Sequence, residues 1–259
     1  MTQRIIILAL LLVPLAGVQA SASFYAYDEA GGMVVGEGEL FTSRITAGNG
    51  TAWTIKPTEN SGTAIIDGGP IVSNARGGEY AQTLPDNQSP GGSNVPPEIR
   101  YRMMIDTVGT YRLYVRWDGN NSNRTTRGQS DSMFADVVEL KDGTGGTIAD
   151  WYELTESVNG NFASPAWDVG GGFETNAAGA PNNPMTWSIS TPGLYTLRFT
   201  QREDGAAVDA WVFQRSNLPG PSGNGPAVSN LIIPEPSALL IWSLLAGLGV
   251  VTGLRRRKP

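Results

Sequence analysis

Eight consecutive residues, Thr110-Tyr111-Arg112-Leu113-Tyr114-Val115-Arg116-Trp117, alternate in a way that leaves little choice of fold. Side chains along a strand point to opposite faces with a period of two, whereas a helix repeats every 3.6 residues. Tyr111, Leu113, Val115 and Trp117 therefore share one face of a strand. Segments of the same kind recur at residues 24–27, 33–35, 51–55, 63–66, 99–105, 132–138, 185–189, 194–199 and 208–213. Each is bounded by the Gly, Asn, Asp or Pro clusters that turn a chain. No stretch between them offers three turns of helix. About ten short strands at this spacing predict an all-β body built as a single β-sandwich. Trp53, Trp117 and Trp211 are expected in its core. Two Gly/Asn/Pro-rich stretches interrupt it, at 86–97 and 142–184, and the second holds Trp151, Tyr152, Phe162, Trp167 and Phe173.

The chain contains neither histidine nor cysteine. Histidine-dependent triads, histidine-based zinc sites and imidazole acid–base chemistry are excluded. A body without disulfides must be held by its core, with or without a metal ion. Between the two apolar ends lie thirteen basic and twenty-three acidic residues, a net charge of about −10. Such a surface repels nucleic acid and anionic lipid and attracts divalent cations.

Both ends read as targeting segments. Arg4 precedes an apolar run at 5–18, followed by the small-x-small candidates Val18-Gln19-Ala20 and Ala20-Ser21-Ala22. This predicts a signal peptide over 1–22 with an N-terminal signal helix. At the other end, Pro234-Glu235-Pro236 precedes an uncharged run at 237–254 and then Arg255-Arg256-Arg257-Lys258. A helix of about 17 residues is just long enough to cross a hydrocarbon core, with the cations on the cytoplasmic side. On the residues alone this is a C-terminal membrane anchor. The order of tripeptide, apolar helix and basic cluster resembles the PEP-CTERM sorting signal of Gram-negative bacteria. The resemblance implies export, an exosortase-type membrane protease as partner, transient inner-membrane anchoring through a C-terminal transmembrane helix, and then release or attachment at the cell surface. Its residues here are Pro234, Glu235, Pro236, Arg255, Arg256 and Arg257. The expected division is signal peptide 1–22, sandwich 23–217, flexible Gly/Pro/Ser linker 218–233 and sorting signal 234–259.

Within the body, Glu37-Gly38-Glu39 lies near the start, and the turn-to-strand runs Val108-Gly109-Thr110-Tyr111 and Pro192-Gly193-Leu194-Tyr195 share one design. The segment Arg202-Glu203-Asp204-Gly205-Ala206-Ala207-Val208-Asp209-Ala210-Trp211-Val212-Phe213 closes the domain. In this order the motifs resemble the galactose-binding-domain-like jelly rolls of carbohydrate-binding module families 6 and 35, over about residues 34–214. The resemblance implies a jelly-roll sandwich and a structural calcium held by Glu37, Glu39 and Asp209. Calcium takes six to eight oxygen ligands, and carboxylates at i and i+2 of a strand face the same way. The same residues would equally serve as a solvated strand edge.

Sugar recognition needs exposed rings to stack on pyranose faces and polar side chains for the hydroxyls. The candidates are Trp151, Tyr152 and Trp167, with Asn120 and Asn121 as polar contacts. Packing of the long insertion is the alternative role for the rings. Glu153 with Glu156, or Asp168 with Glu174, would be needed as a carboxylate pair for glycoside hydrolysis, and their spacing does not favour it. The expectation is a non-catalytic, calcium-stabilised module for polysaccharide, at the surface or in an extracellular matrix. A structural scaffold without glycan binding is the alternative, and a small glycan-active enzyme the third.

Overall fold

A computed structural model describes residues 25–48, 50–56, 73–84, 96–118, 133–140, 186–202 and 205–233, together with 167 and the backbone of 152–153, 168–169 and 171–172. The targeting segments at 1–22 and 234–259, the expected strand at 63–66, and Asn120, Asn121 and Trp151 lie outside the described residues.

Two sheets face each other. The first contains β1 (Ala26–Asp28), β3 (Ser43–Ile45), β6 (Glu98–Ile105), β8 (Met133–Val137), β13 (Gly193–Gln201) and β15 (Leu231–Ile232). Its order is β15-β1-β6-β13-β8, with β3 also on β6. The second contains β2 (Met33–Glu37), β4 (Ala52–Lys56), β5 (Tyr80–Leu84), β7 (Gly109–Asp118), β10 (Asp168–Val169), β12 (Trp187–Ile189) and β14 (Ala207–Arg215). Its order is β10-β7-β14-β5-β4, with β12 also on β7 and β2 also on β14. A separate antiparallel pair joins β9 (Tyr152–Glu153) to β11 (Gly171–Gly172). Apart from a short 3-10 turn at Arg76–Gly78, the described residues hold no helix.

The alternating pattern explains the core. Tyr111, Leu113, Val115 and Trp117 of β7 all turn inward, beside Val208, Trp211 and Phe213 of β14. Tyr27, Tyr101, Ile99, Met103, Leu197 and Phe199 meet them from the first sheet. The Trp211 ring lies 5.1 Å from both the Tyr27 and Tyr101 rings at steep angles, the edge-to-face packing that ring quadrupoles favour. Trp53, Trp117, Trp187 and Trp211 are all buried. On the solvent side of the first sheet, Arg198 forks onto Asp136 at 2.8 and 2.6 Å and also reaches Glu98.

At one flank of the sandwich, β9 of the long insertion packs against β8. There β10 of the same insertion pairs with Tyr114 and Val115 of β7. Residues 218–233 depart from the flexible linker expected of their Gly/Pro content. They form a strap on the body. Gln214 Nε2 donates to the Pro219 carbonyl at 2.8 Å, and Ser229 exchanges two hydrogen bonds with the Val35 backbone, both at 3.0 Å. The Asp28 N–H donates to the Asn230 carbonyl at 2.9 Å, and β15 then pairs antiparallel with β1. The strap crosses from the second sheet to the first. Proline and glycine set its path, but its carbonyls find donors on the body, as a segment lying on a protein surface requires.

Candidate functional site

The end of β2 and the start of β14 build the most heavily charged buried place among the described residues. Ala210 of β14 faces Glu37 of β2 on one side and Arg116 of β7 on the other. The register shifts between Val208 and Ala210, so Asp209 is the extra residue of a bulge. Bulges re-aim side chains. Here the bulge turns a fully buried Asp209 carboxylate onto Arg116, which is itself buried, with an Arg116 Nη1 donor on Oδ2. The other oxygen, Oδ1, accepts from the Arg76 backbone N–H at 2.6 Å, and Arg116 Nη2 donates to the Asn74 carbonyl at 3.0 Å. The 3-10 turn at Arg76–Gly78 is thereby pinned onto the outer face of the second sheet. Arg76 also pairs with Glu37 at 2.9 Å.

Two glycines make the approach of β2 to β14 possible. A Cβ on Gly36 would collide with the Trp211 indole, and one on Gly38 with the Val208 carbonyl. The Gly38 N–H donates to the Asp209 carbonyl at 2.7 Å, and Tyr101 Oη donates to the Gly38 carbonyl at 2.6 Å. Tyr27 Oη donates to Leu40 at 2.8 Å, anchoring the turn that follows. The strand ends at Glu37, and Leu40 N–H closes a turn onto the Glu37 carbonyl. Glu39 is therefore a turn residue, where the sequence pattern predicted a strand pair at i and i+2.

Glu37, Glu39 and Asp209 lie near enough to one another for their charges to interact. Burial is the main force on each carboxyl. It pushes Glu39 up to about 8, opposed by its own backbone N–H and aided by the charges of Glu37, Asp209 and Glu79. Glu37 is raised to about 7 by burial, against the pull of Arg76. Asp209 is raised to about 6 by burial, held back by Arg116 and the Arg76 N–H. Oε2 of Glu37 and Oε2 of Glu39 are buried without a hydrogen-bond partner. Among the described residues, however, no group of three or more acidic side chains is gathered closely enough to grip a metal ion in the present arrangement. The donor set fits calcium in part. Glu37 and Glu39 each offer an unsatisfied oxygen of the hard type calcium prefers, while Asp209 is committed to Arg116 and the Arg76 backbone.

Arg76 and Arg116 are the functional residues that the sequence pattern left unmarked. Arg116 reads as an ordinary polar position on an alternating strand, and only the register of β7 on β14 reveals its partner. The Gly-x-Gly at Gly36 and Gly38 was the available signal, because glycine inside a strand marks close backbone approach.

Of the predicted ring platform, Tyr152 lies in β9, and Trp167 immediately precedes β10. The backbone of Tyr152 pairs with Gly172, and Asp168, next to Trp167, pairs with Val115 of β7. Trp167 is half-buried. Its indole Nε1 donates to the Gly223 carbonyl of the strap at 3.0 Å, and its ring lies where a Cβ on Gly225 would be.

No family model and no curated protein matches this chain. Among solved structures, it is similar to a family 35 carbohydrate-binding module from Clostridium thermocellum, at 13% identity and a TM-score of 0.38 over 71% of this chain and 98% of that one. The C-terminal family 6 carbohydrate-binding module of a marine laminarinase from Zobellia galactanivorans is similar at 11% identity and a TM-score of 0.36, over 71% and 99%. A Podospora anserina β-mannanase that carries a family 35 module gives 12% identity and a TM-score of 0.37, over 73% of this chain and 29% of that longer enzyme. These likenesses are weak, and none lends this chain a residue role.

Proposed function

We propose that this is an exported, non-catalytic β-sandwich that binds polysaccharide at the cell surface or in an extracellular matrix and is stabilised by calcium. What supports the reading is the backbone of the insertion, which carries Tyr152 in β9 and Trp167 just before β10 beside the edge strands β8 and β7. Trp151, Asn120 and Asn121 belong to the same proposed ligand face by sequence. Calcium would be held by Glu37 and Glu39, joined by Asp209 if Arg116 yields it, and would neutralise carboxylates that burial otherwise protonates. Sorting through Pro234, Glu235, Pro236 and the basic residues Arg255, Arg256 and Arg257 by an exosortase-type protease is the proposed route to the surface.

A glycan-array screen of the mature chain, in calcium and in chelator, tests this reading. Selective binding that weakens in Trp151→Ala or Trp167→Ala supports it, and an absence of binding by a folded, calcium-stabilised protein overturns the glycan part. Replacing Glu235 by Ala is expected to leave the tail uncut, and normal processing of that variant would count against sorting by this signal.

One contact favours a second reading, a matrix scaffold without a glycan site. Trp167 already spends its N–H and part of its ring on the strap. If that is its whole role, Trp167→Ala loosens the strap to proteolysis and leaves any glycan affinity unchanged.

A further inference from the structure

The two ends of the body leave it at one point. Ala26 pairs with Ile232 and Tyr27 with Leu231, antiparallel, in the last two strands of the first sheet's edge. The chain before Ala26 and the chain after Ile232 therefore depart side by side in the same direction. The apolar run at 237–254 begins four residues beyond Ile233. Four residues, even fully extended, span at most about 14 Å. The head-group layer on one side of a bilayer core is itself roughly 5–8 Å thick. A body tied so closely to an embedded segment has no length with which to stand clear of the surface.

The surface at that exit suits the position. Among the described residues five large apolar side chains are exposed: Leu40, Ile45, Val108, Leu231 and Ile233. Four of them lie in the turn before β3, on β3, on β15 or just past its end, around the exit. Tyr25 Oη donates to the carbonyls of Leu40 and Phe41 at 3.4 and 3.2 Å, so that turn lies directly beside the first described residue. Exposed Arg44 lies 5.6 Å over the Phe41 ring, an arrangement of ring and cation that suits the level of lipid phosphates. Val108 is the exception, in the turn after β6 at the other end of β1, where Glu29 Oε2 accepts from the Asp106 and Thr107 N–H groups.

We infer that the edge formed by β1, β15 and the turn at Leu40 and Phe41 is a membrane-facing surface, held in the head-group layer of the outer leaflet while the C-terminal segment is embedded. The inference rests on the proposed reading of 237–254 as a membrane-spanning segment. Contact is made by Leu40, Phe41, Ile233 and Arg44, and the opposite end, with Val108, points away from the lipid. The body's overall negative charge makes a zwitterionic leaflet the better partner.

The absence of cysteine makes the test direct, because every introduced cysteine is unique. Leu40→Cys, Ile233→Cys and Val108→Cys are made singly in the full chain, labelled with a fluorophore and reconstituted in phosphatidylcholine vesicles carrying nitroxide-labelled head groups. All three positions are exposed, so the substitutions leave the core intact. The expected result is quenching at Leu40 and Ile233 severalfold stronger than at Val108. Equal quenching at the three positions, in protein that floats with the vesicles, overturns the membrane-facing edge and leaves the spanning segment standing. Protein that does not float with the vesicles overturns both.

Discussion

Asp209 and Arg116 form an ion pair with neither partner open to water, on the outer face of a sheet rather than between the sheets. The pair depends on the bulge at Asp209, and through the Arg76 N–H and the Asn74 carbonyl it fastens the turn that covers that face. Removing one partner of such a pair leaves the other as an uncompensated buried charge, which commonly costs about 3–5 kcal/mol. Asp209→Ala is expected to lower unfolding stability in urea by about that amount and to free the 73–79 turn to proteolysis. A loss under about 1 kcal/mol would mean that water reaches Arg116.

Glu39 separates the calcium reading from the ion pair, because it contacts neither arginine. Its carboxyl is raised in the folded state to about 8, from an ordinary value of 4.5. A raised folded value means that the folded chain holds the proton more tightly than the unfolded chain. Its contribution to stability is complete below about pH 4.5 and is lost as pH rises through about 8. In chelator, thermal stability is expected to fall between pH 5 and 8. Calcium should suppress that fall, and Glu39→Gln should make the fall in chelator shallower, leaving the part that Glu37 and Asp209 contribute. A calcium response that survives in Glu39→Gln would remove Glu39 from the site.

Gly38→Ala is a test of the close approach between β2 and β14. The added methyl meets the Val208 carbonyl, a backbone group that cannot swing aside. The expected loss is about 1–3 kcal/mol or more, as for other forced overpacking. Because Gly38 lies between Glu37 and Glu39, any calcium response should weaken with it. Gly48→Ala, in open space on the surface, is the control and should be close to neutral.

The strap can be cut away without touching the sheets' interior. A chain that stops at Ile233 is expected to melt like the longer protein. One that stops at Leu218 loses Ser229 from Val35, Asn230 from Asp28 and all of β15. Its melting temperature should drop by roughly 10 °C, given 2–4 °C per kcal/mol for a domain of this size. Equal melting of the two forms would return 218–233 to the status of a linker.

The strands that alternate were legible in the sequence, and Tyr80–Leu84, which does not, was missed. Tyr111 to Trp117 and Leu194 to Phe199 declare their faces. Tyr80–Leu84 does not, because Gln82 and Thr83 are polar yet wholly buried, one on the covered outer face and one inward. The strap was misjudged for a related reason. Its Pro and Gly content is what a flexible linker would have, and its attachment lies in backbone hydrogen bonds that no side-chain pattern records. Glu37, Glu39 and Asp209 were named only through the family resemblance of the motifs around them. The arginines that meet two of them could not be named, since Arg116 and Asp209 are 93 residues apart and only strand register joins them.

The pairing of β1 with β15 also sets a timetable. Ala26 is among the first residues of the body to be made and Ile232 among the last, yet each completes the other's ladder. Even its other neighbour, the parallel partner in β6, is more than seventy residues away. Contacts of such long range form slowly, because the intervening chain must first be closed into a loop. A chain emerging from a ribosome or a translocon cannot finish this sheet edge until nearly all of it has passed through. The N-terminal strand waits, unpaired on one side, for the residues that arrive last.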